Sequence, residues 1–290
     1  MRLRKNYSIS DRIRVLLILI FLLLVMGVLA HQKYMENHSK NQTPTMEEFL
    51  AIALEPVGST MYIWGGGWDD EDQTSGTYSA KIGLSPQWAE FAKQQDANYN
   101  FENHRFEREN GLDCSGYVGW VVYNLFETKD GQQGYVTTST DMAENFAKRG
   151  WGELIFQPKE FLVGDIVSMD GHVWISLGTC EDGSVLLVHS SPPGVSVCGT
   201  PIPKSYKPDS ENLEDSDLEN TNHSEKSIAI QLAEDFMTTY YPNWQEKYPN
   251  RCVSDTYLED VTVMRWNLKT LSDALEWQEK SGEEVYNAIK

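Results

Sequence analysis

The sequence predicts an α+β fold, and two observations carry that expectation. Capped, apolar segments of helical character occupy the first half of the chain. A block of short β-branched runs separated by turn residues begins near residue 160. No internal repeat interrupts this order, so a single domain with helices and strands segregated along the chain is expected. At 290 residues, 40% hydrophobic and 11% aromatic, the chain has ample material for a core and is not dominated by disorder.

The amino terminus reads differently from the rest. Residues 1–14 carry Arg2, Arg4, Lys5, Arg12 and Arg14 against Asp11 alone, a cytoplasmic basic segment, and residues 15–30 ("VLLILIFLLLVMGVLA") hold no charge. Sixteen apolar residues fall between a signal-peptide core of about 7–15 residues and a membrane span of about 17 or more. The segment therefore reads as a transmembrane anchor or as a signal segment cleaved after Ala30. Either way, the basic flank places the chain beyond Ala30 outside the cytoplasm. Residues 31–43 are polar and aperiodic, a tether ahead of a domain spanning 44–290. With −19 for the whole chain and a net +4 in residues 1–14, the remainder carries −23 and is strongly acidic. Nucleic acid is excluded as a partner, because a phosphate backbone needs a basic footprint.

Within 44–290, Thr45 and Glu48 form a capping box ahead of "FLAIAL", predicting a helix over about 45–55. "YIWGGG" (62–67) predicts a loop whose backbone closely approaches something else. Residues 68–109 form an acidic, aromatic insert, in which Ser85-Pro86 opens a helix over "QWAEFAKQQ". Then comes "GLDCSGYVGWVVYNL" (111–125), apolar nearly all round after Cys114, which predicts a buried central helix with Asp113 as its N-cap. "FLVGDIVSM", "HVWISLGT", "SVLLVHSS" and "GVSVCGT" predict consecutive antiparallel strands. An acidic loop covers 206–225, followed by a helix ("SIAIQLAEDFMTTYY"), a strand ("VTVMRW") and a C-terminal helix over about 270–288.

Four cysteines are too few for a disulfide framework in an exported chain, although Cys180 and Cys198 are candidates for one bridge. Cys114 stands at the polar leading edge of its apolar run, where a helix N-terminus and a nearby histidine would both favour thiolate. A buried core thiol is the alternative. Of six histidines, only His172 and His189 fall in well-patterned structure, at matching ends of adjacent strands, and they suit a base and an orienter. A tight turn at Asp182-Gly183 would leave them about 13 Å apart. A loop of five or six residues, roughly Gly178 to Gly183, brings them within one residue of opposite, and the triad reading predicts that longer loop. Cys114, His172 and His189 could also make a three-ligand zinc site, but no close ligand pair of the usual spacing is present.

"YIWGGG", "LDCSGYVGWVVYNL", "VGDIVSMDGHVWISLG" and "LLVHSS", in this order, resemble the NlpC-type cysteine peptidases, papain-like bacterial enzymes that cut cell-wall peptides. The match covers about residues 56–200. It implies a papain-like α+β fold, with the catalytic cysteine at the N-terminus of a buried helix packed on an antiparallel sheet. It also implies Cys114 as nucleophile, His172 as general base and His189 as third polar residue. Tyr62 would line the site, and Asp113 and Ser115 would bind substrate. The implied partners are peptidoglycan stem peptides, cut between γ-linked D-glutamate and a diamino acid, with no cofactor and no metal. The same residues could serve an amidase or acyltransferase, or remain in a non-catalytic binding module. The insert at 68–109 departs from the family's short link at this point. The sequence sets no oligomeric state.

Overall fold

The computed structural model describes residues 43–69, 72–204, 206 and 226–290. The expected segment at 15–30, the tether and nearly all of the acidic loop 206–225 lie outside the described residues. Among the described residues, no helix is long and apolar enough to cross a membrane. Residues Pro44–Lys290 form one compact unit.

That unit is α+β, built on one eight-stranded sheet. In chain order the elements are α1 (Met46–Leu54), β1 (Met61–Tyr62), α2 (Pro86–Gln94), β2 (Gly111–Leu112), α3 (Cys114–Phe126), α4 (Met142–Lys148) and β3 (Gly152–Phe156). Next are β4 (Ile166–Met169), β5 (His172–Thr179), β6 (Val185–Ser191), β7 (Gly194–Gly199), α5 (Ile228–Tyr240), α6 (Pro242–Lys247), β8 (Thr262–Trp266) and α7 (Gly282–Ile289). The sheet order is β2-β1-β7-β6-β5-β4-β8-β3. Only the two-residue pair β1–β2 is parallel, and every other neighbour is antiparallel.

Local chemistry sets these elements as the sequence suggests. The Thr45 hydroxyl accepts from Glu48 N, and the Glu48 carboxylate accepts from Thr45 N, closing the capping box that starts α1. Pro86 occupies the first turn of α2, but the Ser85 side chain makes no capping bond. α3 is buried almost throughout, with Tyr117, Val118, Trp120, Val121 and Val122 fully inside. It packs with α1 and with the Val173, Ile175 and Val188 side of the sheet. The opposite side carries a smaller cluster of Phe161, Val167, Trp174, Leu187 and Val263, covered by the segment around Tyr257. Asp165 is buried and paired to Arg265 through two bonds of 3.0 and 2.7 Å, which ties the turn before β4 to β8.

The C-terminal helix is shorter than its pattern suggests. Asp273 takes the N–H groups of Trp277 and Gln278, Glu276 turns left-handed (φ 54°), and Ser281 with Glu284 forms a fresh capping box. The chain is therefore helical only over Gly282–Ile289, after a single 3-10 turn at Trp277–Glu279. All four cysteines are free thiols, including Cys180 and Cys198.

Candidate active site

Asp113 and Cys114 are fixed by backbone packed against backbone. The Asp113 carboxylate caps α3 by accepting from Gly116 N at 2.7 Å, and it also accepts from Ser115 Oγ (2.9 Å) and Gly65 N (3.1 Å). Asp113 N in turn donates to Gly66 O. The glycine loop thus lies directly on the first turn of α3, which is the close approach the sequence calls for. A Cβ on Gly116 would come within 2.0 Å of Gly66 O, and one on Gly67 (φ 94°) within 2.5 Å of the Gly116 Cα. Only glycine fits this contact.

Cys114 is the first residue of α3 and is 6% exposed. Its position is set by where β5 and β6 part. Their ladder runs from Thr179↔Val185 to Ile175↔Val188 and goes no further. Beyond that point the Val173 amide supports the Cys114 sulfur. α3 lies on one side of this gap, and the rings of His172, His189, Tyr257 and Trp174 gather on the other.

The loop between β5 and β6 has five residues, the length the triad reading predicts, but it spans Cys180–Ser184 and so starts two residues later than the expected Gly178. The register differs slightly from the expectation of one residue. Continuing Ile175↔Val188 places His189 opposite Trp174, two residues from His172. The loop starting at Cys180 would by itself leave the two histidines three residues out of register, and a bulge between Ser176 and Gly178 that adds Leu177 to β5 recovers one of them. Without that extra residue, the pairing Thr179↔Val185 would carry through and put His189 opposite Ile175, with His172 on the other face. The bulge restores an even offset, so the two rings meet diagonally on one face. His172 Nε2 and His189 Nδ1 are 3.1 Å apart, with ring planes at 81°.

A cleft of about 380 Å³ opens on Cys114. Its lining includes the rings of Tyr62, Trp64, Trp68 and Phe106, together with Arg108, Thr138, Ser139 and Gly171. His172 comes directly after Gly171. The insert 68–109 therefore has two roles. Its Trp88 packs edge-on against Trp120 of α3 and its Phe91, Tyr99 and His104 cluster together, while Trp68, Phe106 and Arg108 supply cleft wall. Tyr99 also bonds the carbonyl of Tyr62 at 2.6 Å, gripping the strand that carries that wall residue.

Burial favours the neutral forms of the thiol and of both imidazoles. Burial pushes the Cys114 thiol up to about 12, and the Asp113 charge adds to this, outweighing the backbone N–H groups of Val173, Ser115 and Cys114 itself. Burial lowers His172 to about 4. His189 is held well below its ordinary value by burial, by His172 and by the Arg251 charge. The helix terminus thus does not make a resting thiolate here. Among the described residues, no hydrogen bond joins Cys114 to His172.

All six residues singled out in the sequence fall at this end of the sheet. Tyr62, Asp113, Cys114 and Ser115 line the cleft, and His172 and His189 stand across the gap from Cys114. Asp113 and Ser115 are more occupied than a substrate contact would be: the Ser115 hydroxyl donates a hydrogen bond to the Asp113 carboxylate and accepts one from Trp68 Nε1 at 3.0 Å. Among the described residues, no group of three His, Cys, Asp or Glu side chains is placed to hold a metal ion. Sequence reasoning did not reach Trp64, Phe106, Arg108 or Tyr257, which come from loops without periodic pattern. No family model, no curated protein and no solved structure matches this chain.

Proposed function

We propose that this chain is an NlpC-type, papain-like cysteine peptidase working outside the cytoplasm on peptidoglycan stem peptides. The scissile bond in this reading lies between γ-linked D-glutamate and a diamino acid. The observation that carries the reading is the His172–His189 contact at 3.1 Å on the far side of the gap that holds Cys114. A nucleophile at a helix head, a base opposite it and an orienter behind the base form a recurring acyl-transfer constellation. The aromatic rings that line the cleft beside Cys114 offer apolar faces on which a peptide can pack. The outside location rests on the apolar segment 15–30 and its basic flank.

In the mechanism this implies, the Cys114 sulfur attacks the carbonyl carbon as its proton passes to His172. The neutral pair gives the mechanism a general-base character instead of a preformed ion pair. Backbone N–H groups at the head of α3 would stabilise the oxyanion. His172 then gives the proton to the leaving amine, and a water molecule activated by His172 releases the acyl group. Asp113 and Ser115, engaged by Gly65, Gly116 and Trp68, fix the floor of the cleft.

The test is incubation of the full chain with defined stem peptides, with Cys114→Ala alongside and products identified by mass spectrometry. Hydrolysis at the γ-glutamyl bond by the wild type alone is the expected result. Transfer of the acyl half to an added amine would instead identify an acyltransferase. No reaction with any stem peptide would leave the binding-module reading.

A further inference from the structure

Tyr257 belongs to the single 3-10 turn Asp255–Leu258 between α6 and β8, far in sequence from the strands that carry the histidines. Its ring stacks on Trp174 (centroids 6.2 Å apart, planes at 30°) and lies 5.3 Å from His172 and 5.7 Å from His189. Its hydroxyl is 3.3 Å from Nδ1 of His189, the same nitrogen that His172 Nε2 approaches at 3.1 Å. We propose that the Tyr257 hydroxyl is a positioning group that fixes the tautomer of His189, and through it leaves Nδ1 of His172 as the free base for Cys114. This deepens the cysteine-peptidase reading above and rests on it.

The tautomers are set by a count of protons. A neutral imidazole carries one N–H, and its other nitrogen is an acceptor. The Tyr257 oxygen is approached by the Ser191 hydroxyl, and burial keeps the phenol protonated. With the oxygen already accepting, the phenol proton is available to Nδ1 of His189. An Nδ1 that accepts from Tyr257 holds no proton, so the donor across the 3.1 Å contact is His172 Nε2, and the two donors share the one lone pair of Nδ1. The one proton of His172 is then on Nε2, and its Nδ1 lone pair is free.

The opposite assignment removes the base. A proton on Nδ1 of His189 would turn His172 Nε2 into an acceptor and move the His172 proton to Nδ1. After His172 takes the thiol proton it has two N–H groups, and an Nδ1–H on His189 would then face another donor. The Tyr257 bond disfavours that state. Burial first, and then His172 and the charge of Arg251, disfavour the charged form of His189; the Arg251 side chain bonds the Tyr248 carbonyl. Cys198, on the neighbouring strand β7, is a buried thiol that burial keeps protonated.

Tyr257→Phe separates positioning from packing, because it keeps the ring on Trp174 and removes only the hydroxyl. The readout is a long-range proton–nitrogen correlation spectrum of the full chain labelled with ¹⁵N in its histidines, near neutral pH. The wild type is expected to carry its His189 proton on Nε2 and its His172 proton on Nε2. Tyr257→Phe is expected to give mixed tautomers at both rings. On a cleavable stem peptide, kcat should fall on the order of tenfold with KM unchanged. If Tyr257→Phe does not fold, Ser191→Ala gives the same test, since it frees the phenol to turn away and should also mix the tautomers. A wild-type His189 protonated on Nδ1, or a Tyr257→Phe spectrum with wild-type tautomers, would overturn the proposal. The spectrum does not depend on substrate: expected tautomers with no peptide cleaved would defeat the peptidase reading while the tautomer assignment stands.

Discussion

Replacing Asp113 by Asn tests whether the floor of the cleft is held by a buried charge. Asp113 is 8% exposed, and its burial raises the carboxyl to about 6 from an ordinary 3.8, against the pull of Gly116 N, Ser115 Oγ and Gly65 N. A folded-state value above the unfolded one means that the native state binds the proton more tightly. The stabilisation from this proton is therefore complete below about pH 4 and is lost as pH rises through about 6. That gap corresponds to about 3 kcal/mol in full, at about 1.4 kcal/mol per pH unit. Asparagine cannot titrate, so the variant should lack this dependence. It keeps an oxygen for Gly116 N and Ser115, but its amide would face the Gly65 N–H donor, costing about 1–3 kcal/mol at all pH values. The assay is urea unfolding of both proteins between pH 4 and pH 7, read as the difference between their stabilities. Asp113→Asn should gain on the wild type by about 2–3 kcal/mol across that range. Parallel curves would refute the buried-charge account.

The same contacts give two further outcomes. Gly116→Ala gains about 1 kcal/mol of helix propensity but puts a methyl 2.0 Å from Gly66 O. A net loss of about 1–2 kcal/mol is expected from overpacking, seen as a lower Tm, and an unchanged Tm would show that the loop yields freely. Because burial holds the Cys114 thiol near 12, its alkylation by iodoacetamide, followed by peptide mass spectrometry, should accelerate steadily from pH 6 to pH 10. A plateau below pH 8 would reveal a resting thiolate instead.

Much of this was legible in the sequence because it rests on local chemistry. The Thr45–Glu48 box, the Asp113 cap, the glycines that allow backbone contact and the strand His172–Thr179 each depend on residues within a few positions of one another. The register of the histidines was harder. It depends on the single extra residue Leu177, and a bulge leaves the alternation of side chains looking regular on either side. The C-terminal pattern misled because Asp273 and the Ser281–Glu284 box redirect backbone hydrogen bonds that periodicity alone would assign to one helix. Tyr257, Phe106 and Arg108 were not legible at all. They reach the site through loops, and nothing near them in sequence signals which side chain the fold will turn inward. The thiol's resting state also differs from the expectation, since burial and Asp113 together exceed the help from the helix terminus.

The central claim is that Cys114 is a nucleophile served by His172. Its most direct measurement is the rate of stem-peptide cleavage by the full chain, compared among wild type, Cys114→Ala and His172→Ala under identical conditions. Cleavage at one bond by the wild type is expected, with loss of activity in Cys114→Ala to background and a fall of about 100-fold or more in His172→Ala. Cleavage that persists undiminished in Cys114→Ala would contradict the account.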